Sequence, residues 1–405
     1  MTWNMSNASH LFKTKYGPLS ENVYNAKNPV LMRYKKTYDF VGDQELRSIP
    51  QSFSGGVGSG TLPTATWDKG GKALITSKKL YAVAKIDREA IKAADGNEGS
   101  FVKQTKHTVQ KTVESWMRNT SRQLWNQFDN GELGRGDGST TVTGDGSSGT
   151  PYLVVINADY WKEANWEEQD LVNVATETTA LRVVGVTAST REIQLVGTSA
   201  TLAAAAGGAT STSAKIYMQG SKDNDLLSIP YILSRTTGTL FNLPVARRWS
   251  AGQYAASGGI GLTVDLMNED MLAIDRRIGK TPDMIVTSYT QYRKLLNQLE
   301  DKKTYELQPR AENLRGHFSF KAMAYESAVG LIPIIFDRFV QDDAIAYLNS
   351  DFMELMHRPD FGWFDDDGTV FLRSNDDDAY EARYGGYLEN YMPPNFHGWR
   401  TGLAV

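Results

Sequence analysis

Gly55-Gly56-Val57-Gly58-Ser59-Gly60 leads into a lysine-rich extended segment, residues 72–86, and then into a long amphipathic stretch, residues 100–128. This is the part of the chain whose reading decides the fold. In the last stretch Val102, Val109, Val113, Trp116, Met117, Leu124 and Phe128 recur mostly at steps of three, four and seven. That spacing places them on one stripe of an α-helix. At about 1.5 Å per residue the helix would span roughly 43 Å, long for a globular protein. No catalytic signature sits in the loop, the extended segment or the helix. An extended arm joined to a long helix suits a subunit that is completed by its neighbours.

The adjoining helix face carries Lys103, His107, Lys111, Arg118 and Arg122, interrupted by Glu114 and Trp125. Two readings of this strip stand side by side. It is a solvated face with ion pairs to neighbouring subunits, or it is a surface turned toward enclosed polyanion.

The chain has 405 residues, 40% hydrophobic content and a formal net charge of −4. This is enough for two or three substructures with their own cores. The acidic balance argues against a dedicated high-affinity nucleic-acid binder, but not against a concave surface that only encloses nucleic acid. There are no cysteines, so disulfides, thiolate metal sites and cysteine nucleophiles are excluded. The first residues lack the basic-then-apolar pattern of a signal peptide, and Met1 is read as an unprocessed start. The longest apolar runs, such as Leu331-Ile332-Pro333-Ile334-Ile335-Phe336, are too short to span a bilayer as a helix. The chain therefore reads as soluble and cytosolic.

Residues 1–33 lack a sustained period and read as an extended arm that a neighbour must order. Thr37-Tyr38-Asp39-Phe40-Val41 and Leu80-Tyr81-Ala82-Val83-Ala84-Lys85-Ile86 read as strands, separated by a long Gly/Ser/Thr-rich loop. A short helix is expected over residues 87–93. After a glycine-rich connection, residues 151–222 read as a β-rich insertion, with strands at 181–186, 192–196 and 215–218 and a loop or bulge at Ala203-Ala204-Ala205-Ala206. Thr263 is placed to cap a helix over 264–278 that Gly279 and Pro282 stop. Met284-Ile285-Val286 reads as a buried strand, and Ser288-Tyr289-Thr290-Gln291 as a capping box opening a helix over 289–299. In the tail, Phe361-Gly362-Trp363-Phe364 and Val370-Phe371-Leu372-Arg373 flank Asp367-Gly368 and predict a hairpin. Residues 381–391 read as a strand pair or an extended segment.

Candidate sites fail on context. Gly144-Asp145-Gly146-Ser147-Ser148-Gly149 spells a dinucleotide fingerprint, yet Pro151-Tyr152-Leu153-Val154 follows as a strand where the mechanism needs a helix. Gly279-Lys280-Thr281 spells the end of a phosphate loop, but it reads as a helix stop. The five histidines, His10, His107, His317, His357 and His397, are not spaced as metal pairs. Asp365-Asp366-Asp367 and Asp376-Asp377-Asp378 read as solvated acidic turns, since consecutive carboxylates diverge. Arg135-Gly136-Asp137 spells an adhesion tripeptide within a glycine-rich linker. No cofactor, metal or catalytic residue is expected, and no enzyme.

The chain resembles the major capsid proteins of tailed bacteriophages. The likeness is carried by the glycine-rich loop with Gly60-Thr61-Leu62-Pro63, by Leu74-Ile75-Thr76-Ser77-Lys78-Lys79-Leu80-Tyr81-Ala82, by Ile86-Asp87-Arg88-Glu89-Ala90-Ile91-Lys92-Ala93-Ala94, and by Lys106-His107-Thr108-Val109-Gln110-Lys111-Thr112-Val113-Glu114-Ser115. Residues 282–286 with their flanking helices are similar to the family's axial domain. The resemblance implies an α+β shell fold. Residues 1–33 would be the N-terminal arm and 34–82 the extended loop. The peripheral domain with its spine helix would cover 83–150, and the β-rich insertion 151–222. Residues 223–261 would connect to an axial domain at 262–345, and 346–405 would return to the peripheral sheet.

It further implies self-assembly into hexamers and pentamers of an icosahedral head around double-stranded DNA, assembled in host cytoplasm. Portal, scaffolding and decoration proteins would be partners, and no membrane would be. Gly55, Gly56, Gly58 and Gly60 would let the loop adjust between five-fold and six-fold settings. Trp67 at its base would either anchor on a neighbour or pack on its own strand. Two alternatives remain open: an encapsulin-like shell holding cargo protein, and a β-rich carbohydrate-active enzyme using the Asp clusters.

Overall fold

The computed structural model describes residues 29–37, 40, 42–52, 57–60, 69–89, 98–128, 130–137, 142–206, 214–246, 248–300, 323–327, 330–358, 361–365, 368, 370–373 and 377–405. Along the chain, β1 (Lys35–Thr37) precedes the strands β2 (Gln44–Ser52), β3 (Lys69–Thr76) and β4 (Lys78–Asp87), and then the helix α1 (Glu98–Leu124). There follow β5 (Glu132–Arg135), β6 (Tyr152–Val155), β7 (Leu171–Val174), β8 (Leu181–Thr187), β9 (Glu192–Val196), α2 (Ala200–Ala206) and β10 (Lys215–Met218). Next come α3 (Ile229–Ser234), β11 (Thr239–Leu240), β12 (Leu243–Pro244), β13 (Gly252–Ile260), α4 (Val264–Ile278), β14 (Met284–Thr287) and α5 (Tyr289–Glu300). The last strands are β15 (Met323–Ser327), β16 (Gly330–Phe336), β17 (Ile345–Leu348), β18 (Glu354–His357), β19 (Gly362–Trp363), β20 (Leu372–Arg373), β21 (Ala379–Tyr391) and β22 (Gly398–Leu403).

The spine helix α1 lies on a sheet built around β21. β4 runs antiparallel along one edge of β21, with Ala379 opposite Asp87 and Leu388 opposite Lys78. β18, β19 and β20 share the other edge, each antiparallel to β21. The expected tail hairpin is thus replaced by two short strands that both pair with β21, because that one long strand offers hydrogen bonds to each. Val109, Val113, Trp116, Met117 and Leu124 of the stripe are buried as the spacing predicted. Trp116 meets Phe361 and Tyr384 edge-on, with ring centroids 5.1 and 5.5 Å away, the geometry that the ring quadrupole favours. Each such side chain contributes roughly 1.5–3 kcal/mol by leaving water.

The insertion is a closed barrel. Its strand order is β5-β10-β7-β8-β9-β6, and Gly136 bridges Ile156 antiparallel to join the two ends. Asp137 N–H donates to the Val155 carbonyl at 2.9 Å, and Asn157 N–H to that of Arg135, also at 2.9 Å. The core is its own, with Val154, Ile156, Val172, Leu181, Val183, Ile193, Leu195 and Ile216 buried. The sheet begins at Glu132, earlier than the expected 151, because β5 is needed to close it. The alanine run expected as a loop is the helix α2, whose Leu202 and Ala205 enter this core. The Ser199 hydroxyl accepts from Leu202 N–H.

A third sheet has the order β13-β22-β17-β14-β16-β15, with α4 packed on it through Met267, Met271 and Ile274. Thr263 accepts from Leu266 N–H at the start of α4, and Gly279 ends it at φ +70° with its N–H on the Asp275 carbonyl, as the capping pattern predicted. The expectation that residues 346–405 all return to the peripheral sheet does not hold for the end of the chain. β22 pairs parallel with β13 and antiparallel with β17 in this third sheet. The reason is visible in Arg400, whose guanidinium meets the fully buried Asp270 of α4, Nε at 2.6 Å from Oδ2.

Candidate assembly surfaces

The extended loop is a two-stranded hairpin. β2 and β3 pair from Gln44 opposite Thr76 to Ser52 opposite Lys69, with a register shift near Pro50. Its base is seated on the subunit. Ala73 and Ile75 are buried, and Leu74 N–H donates to the Phe241 carbonyl at 2.9 Å. Arg47 pairs with Glu354 at 2.7 Å and lies over the Tyr391 ring. Gly71 lies close against β12, where a Cβ would stand 2.2 Å from Leu243 Cδ2 and displace that side chain. Leu46, paired with Leu74 near the base, and Val57, beyond the end of β2, face solvent at 60% and 103% exposure. An exposed strand pair with apolar side chains is a candidate surface for another chain. Gly58 and Gly60 lie in the exposed 57–60 turn, Gly60 at φ +97°. Gly55, Gly56 and Trp67 lie outside the described residues.

The basic helix strip does not survive as a continuous surface. Arg118 and Arg122 are 8% and 2% exposed, because the barrel covers the second half of the spine helix. Arg118 pairs with Glu167 at 2.8 Å and Asp170 at 3.0 Å, both contributed by the barrel. Burial pushes the Arg122 guanidinium below its ordinary value, with Asp225 opposing the shift. Lys111 is exposed and pairs with Glu114 at 2.9 Å. The side chains of Lys103 and His107 lie outside the described residues. The sequence signals for this burial are Glu167 and Asp170, opposite in charge to Arg118 but far from it along the chain.

A second clasp was not anticipated. Lys162 of the barrel donates to the Phe339 carbonyl at 2.7 Å and the Trp125 carbonyl at 3.3 Å. It thus joins barrel, spine helix and the β16–β17 connection. Desolvation lowers its ammonium to about 8, against the charges of Asp342, Asp337 and Asp343.

The motifs that spelled other chemistries are absorbed locally. Asp145 accepts from Ser147 N–H at 2.9 Å and from the Thr150 hydroxyl in a tight turn before β6, with no helix for a pyrophosphate to meet. Arg135 pairs with Glu132 and stacks at 5.1 Å over both Phe128 and Tyr160, so the adhesion-like tripeptide forms part of the barrel seam. Asp377 pairs with Lys85, and Asp378 with Arg88 at 3.3 Å. Asp366, Asp367 and Asp376 lie outside the described residues. Among those described, no three His, Asp or Glu side chains are grouped to hold a metal ion. No helix among them is long and apolar enough to cross a membrane.

The fold is similar to solved capsid structures. The capsid asymmetric unit of cyanophage A-1(L) aligns with a TM-score of 0.52 and 11% identity over 94% of each chain. The capsid of an empty GTA particle aligns at 0.43 with 8% identity, over 93% of this chain and 89% of that one. The SrpI encapsulin of Synechococcus elongatus PCC 7942 aligns at 0.40 with 8% identity, over 96% and 88%. No family model matches the sequence, and no curated protein matches it. The chain has the α+β shell fold of tailed-phage capsid proteins. Spine helix, projecting hairpin, inserted barrel and α4-bearing sheet are its parts here.

Proposed function

We propose that this chain is a major capsid protein that self-assembles as hexamers and pentamers into an icosahedral phage head enclosing double-stranded DNA. The observation that carries the reading is the likeness to the cyanophage capsid subunit, which extends over 94% of both chains rather than over one shared motif. The hairpin supports it physically. Its base is fixed by Arg47, Gly71 and Leu74, while Leu46 and Val57 stay open to water. Large obligate interfaces are the usual destination of such surfaces. Assembly would take place in host cytoplasm, with portal, scaffolding and decoration proteins as further partners and the virion capsid as final location.

The test is electron microscopy of the purified full chain together with analysis of particle contents. Round closed shells holding nuclease-protected DNA are expected after expression in an infected host. Dispersed monomers under all assembly conditions overturn the reading. Shells that hold a cargo protein and no DNA replace it with a nanocompartment.

A further inference from the structure

Residues 223–228 lead from the barrel to α3, and three elements hold them at Asp223, Leu226 and Leu227. Lys78 of β4 donates to the Asp223 carbonyl at 2.8 Å. The Gln123 side chain of α1 accepts from Leu226 N–H at 3.4 Å. Glu389 of β21 accepts from Leu227 N–H at 2.9 Å, and its neighbour Asn390 donates to the Leu227 carbonyl at 2.7 Å. The Leu227 peptide is therefore clamped on both sides by one strand. Ser228 then caps α3 through Tyr231 N–H.

Glu389 is 2% exposed, and its Oε1 also accepts from Asn390 N–H at 2.9 Å. The cation whose charge it feels is Lys78, already committed to Asp223. The charged groups around the segment are Lys78 from β4, Arg122 from α1 and Asp225 from the segment itself. A buried carboxylate without a close cation is stable only when neutral or when opened to water.

We propose that Glu389 is a proton-operated latch on residues 223–228: with a neutral carboxyl the Leu227 peptide stays clamped to β21, and ionisation releases it together with α3. Burial pushes this carboxyl up to about 7, against lowering by the Leu227 and Asn390 N–H groups and by Lys78. Burial raises Asp225 as well, so both carboxyls favour release in the same direction. In the opened segment Glu389 returns to its ordinary value of 4.5. The folded group is thus raised, and its contribution is full below that value and lost as pH climbs toward 7. The opening equilibrium grows on the order of a hundredfold between pH 5 and pH 8.

The experiment is hydrogen–deuterium exchange of amides 226–234 in the purified full chain from pH 5 to pH 8, normalised to intrinsic exchange rates. Wild-type protection should fall on the order of a hundredfold. Glu389→Gln, which keeps the acceptor oxygen without the charge, should remove most of that fall and leave only the smaller part that Asp225 contributes. Lys78→Met, a change at a solvent-accessible side chain, should extend the fall to higher pH. Wild-type protection that does not change with pH overturns the latch. So does a Gln variant that loses protection as the wild type does, or a Met variant with an unchanged profile.

Discussion

Arg118 of the spine helix and Asp170 of the barrel face each other across the junction, guanidinium Nη2 to carboxylate Oδ2 at 3.0 Å. Arg118 is nearly buried there, while its second partner, Glu167, is half open to water. Removing Asp170 leaves a buried cation short of its main counter-charge. Asp170→Asn should cost about 3 kcal/mol in urea unfolding, and Glu167→Gln less than about 1 kcal/mol. Equal losses would mean that the barrel is held by packing and not by this pair.

Arg400 and Asp270 tie the last strand to α4, with the Tyr347 hydroxyl donating to the same carboxylate at 2.8 Å. Arg400→Met alone should destabilise by about 3–5 kcal/mol. The double change Arg400→Met with Asp270→Leu should recover part of that loss, since no uncompensated charge remains. Additive losses in a double-mutant cycle would contradict the coupling.

Gly385 stands at φ +152° on β21, and a Cβ there would come 2.0 Å from the Leu80 carbonyl oxygen. Gly385→Ala should therefore cost upward of about 2 kcal/mol and loosen β4 from β21. Gly220→Ala provides a comparison, with a left-handed backbone at φ +76° and open space around it. Its loss should stay near 1 kcal/mol, the lower end for left-handed strain. Thermal melts of the two variants decide between clash and backbone strain.

His397 is fully buried, and its Nδ1 accepts from Asn349 N–H at 3.1 Å. Burial pushes it down to about 3. The folded state then binds fewer protons than the unfolded chain between about pH 6.5 and pH 3. Stability should fall as pH drops through that window, by up to about 1.4 kcal/mol per pH unit. In His397→Gln the difference from wild type should shrink steadily with acidification. A constant difference from pH 7 to pH 4 would show that the ring is protonated without cost.

Deleting residues 55–60 should leave a folded subunit that assembles poorly, because the hairpin base is anchored independently of its tip. Circular dichroism and particle yield report the two halves of that expectation. Wild-type particle yield would count against the tip's role in contacts between subunits.

The local elements were legible where period and caps agree. The Val109-to-Leu124 stripe, the Thr263 cap, the Gly279 stop and the β6, β8 and β9 strands follow from short-range patterning. What crosses large sequence separations was not legible. Nothing near Arg118 announces Asp170, and nothing near Asp270 announces Arg400. The barrel's true start depends on β5 finding β10 rather than on any property of Glu132 alone. For the same reason a helix face rich in cations was mistaken for open surface. Its Arg118 and Arg122 end is interior, and the Asp170 that meets Arg118 is encoded 52 residues away.

β5 and β10, the first and last strands of the barrel, are hydrogen-bonded neighbours, with Lys215 opposite Arg135. The chain therefore leaves the rest of the fold and comes back at nearly the same point. A module attached in this way can be exchanged for a short turn, or for a different module, without re-threading the host. Closure removes free strand edges from the module, so copies crowded on a shared surface do not extend one another's sheets. Gain and loss of such a barrel are thus topologically cheap, and the cost that remains is chemical: the cations of the spine helix that it had covered must find new counter-charges or be replaced.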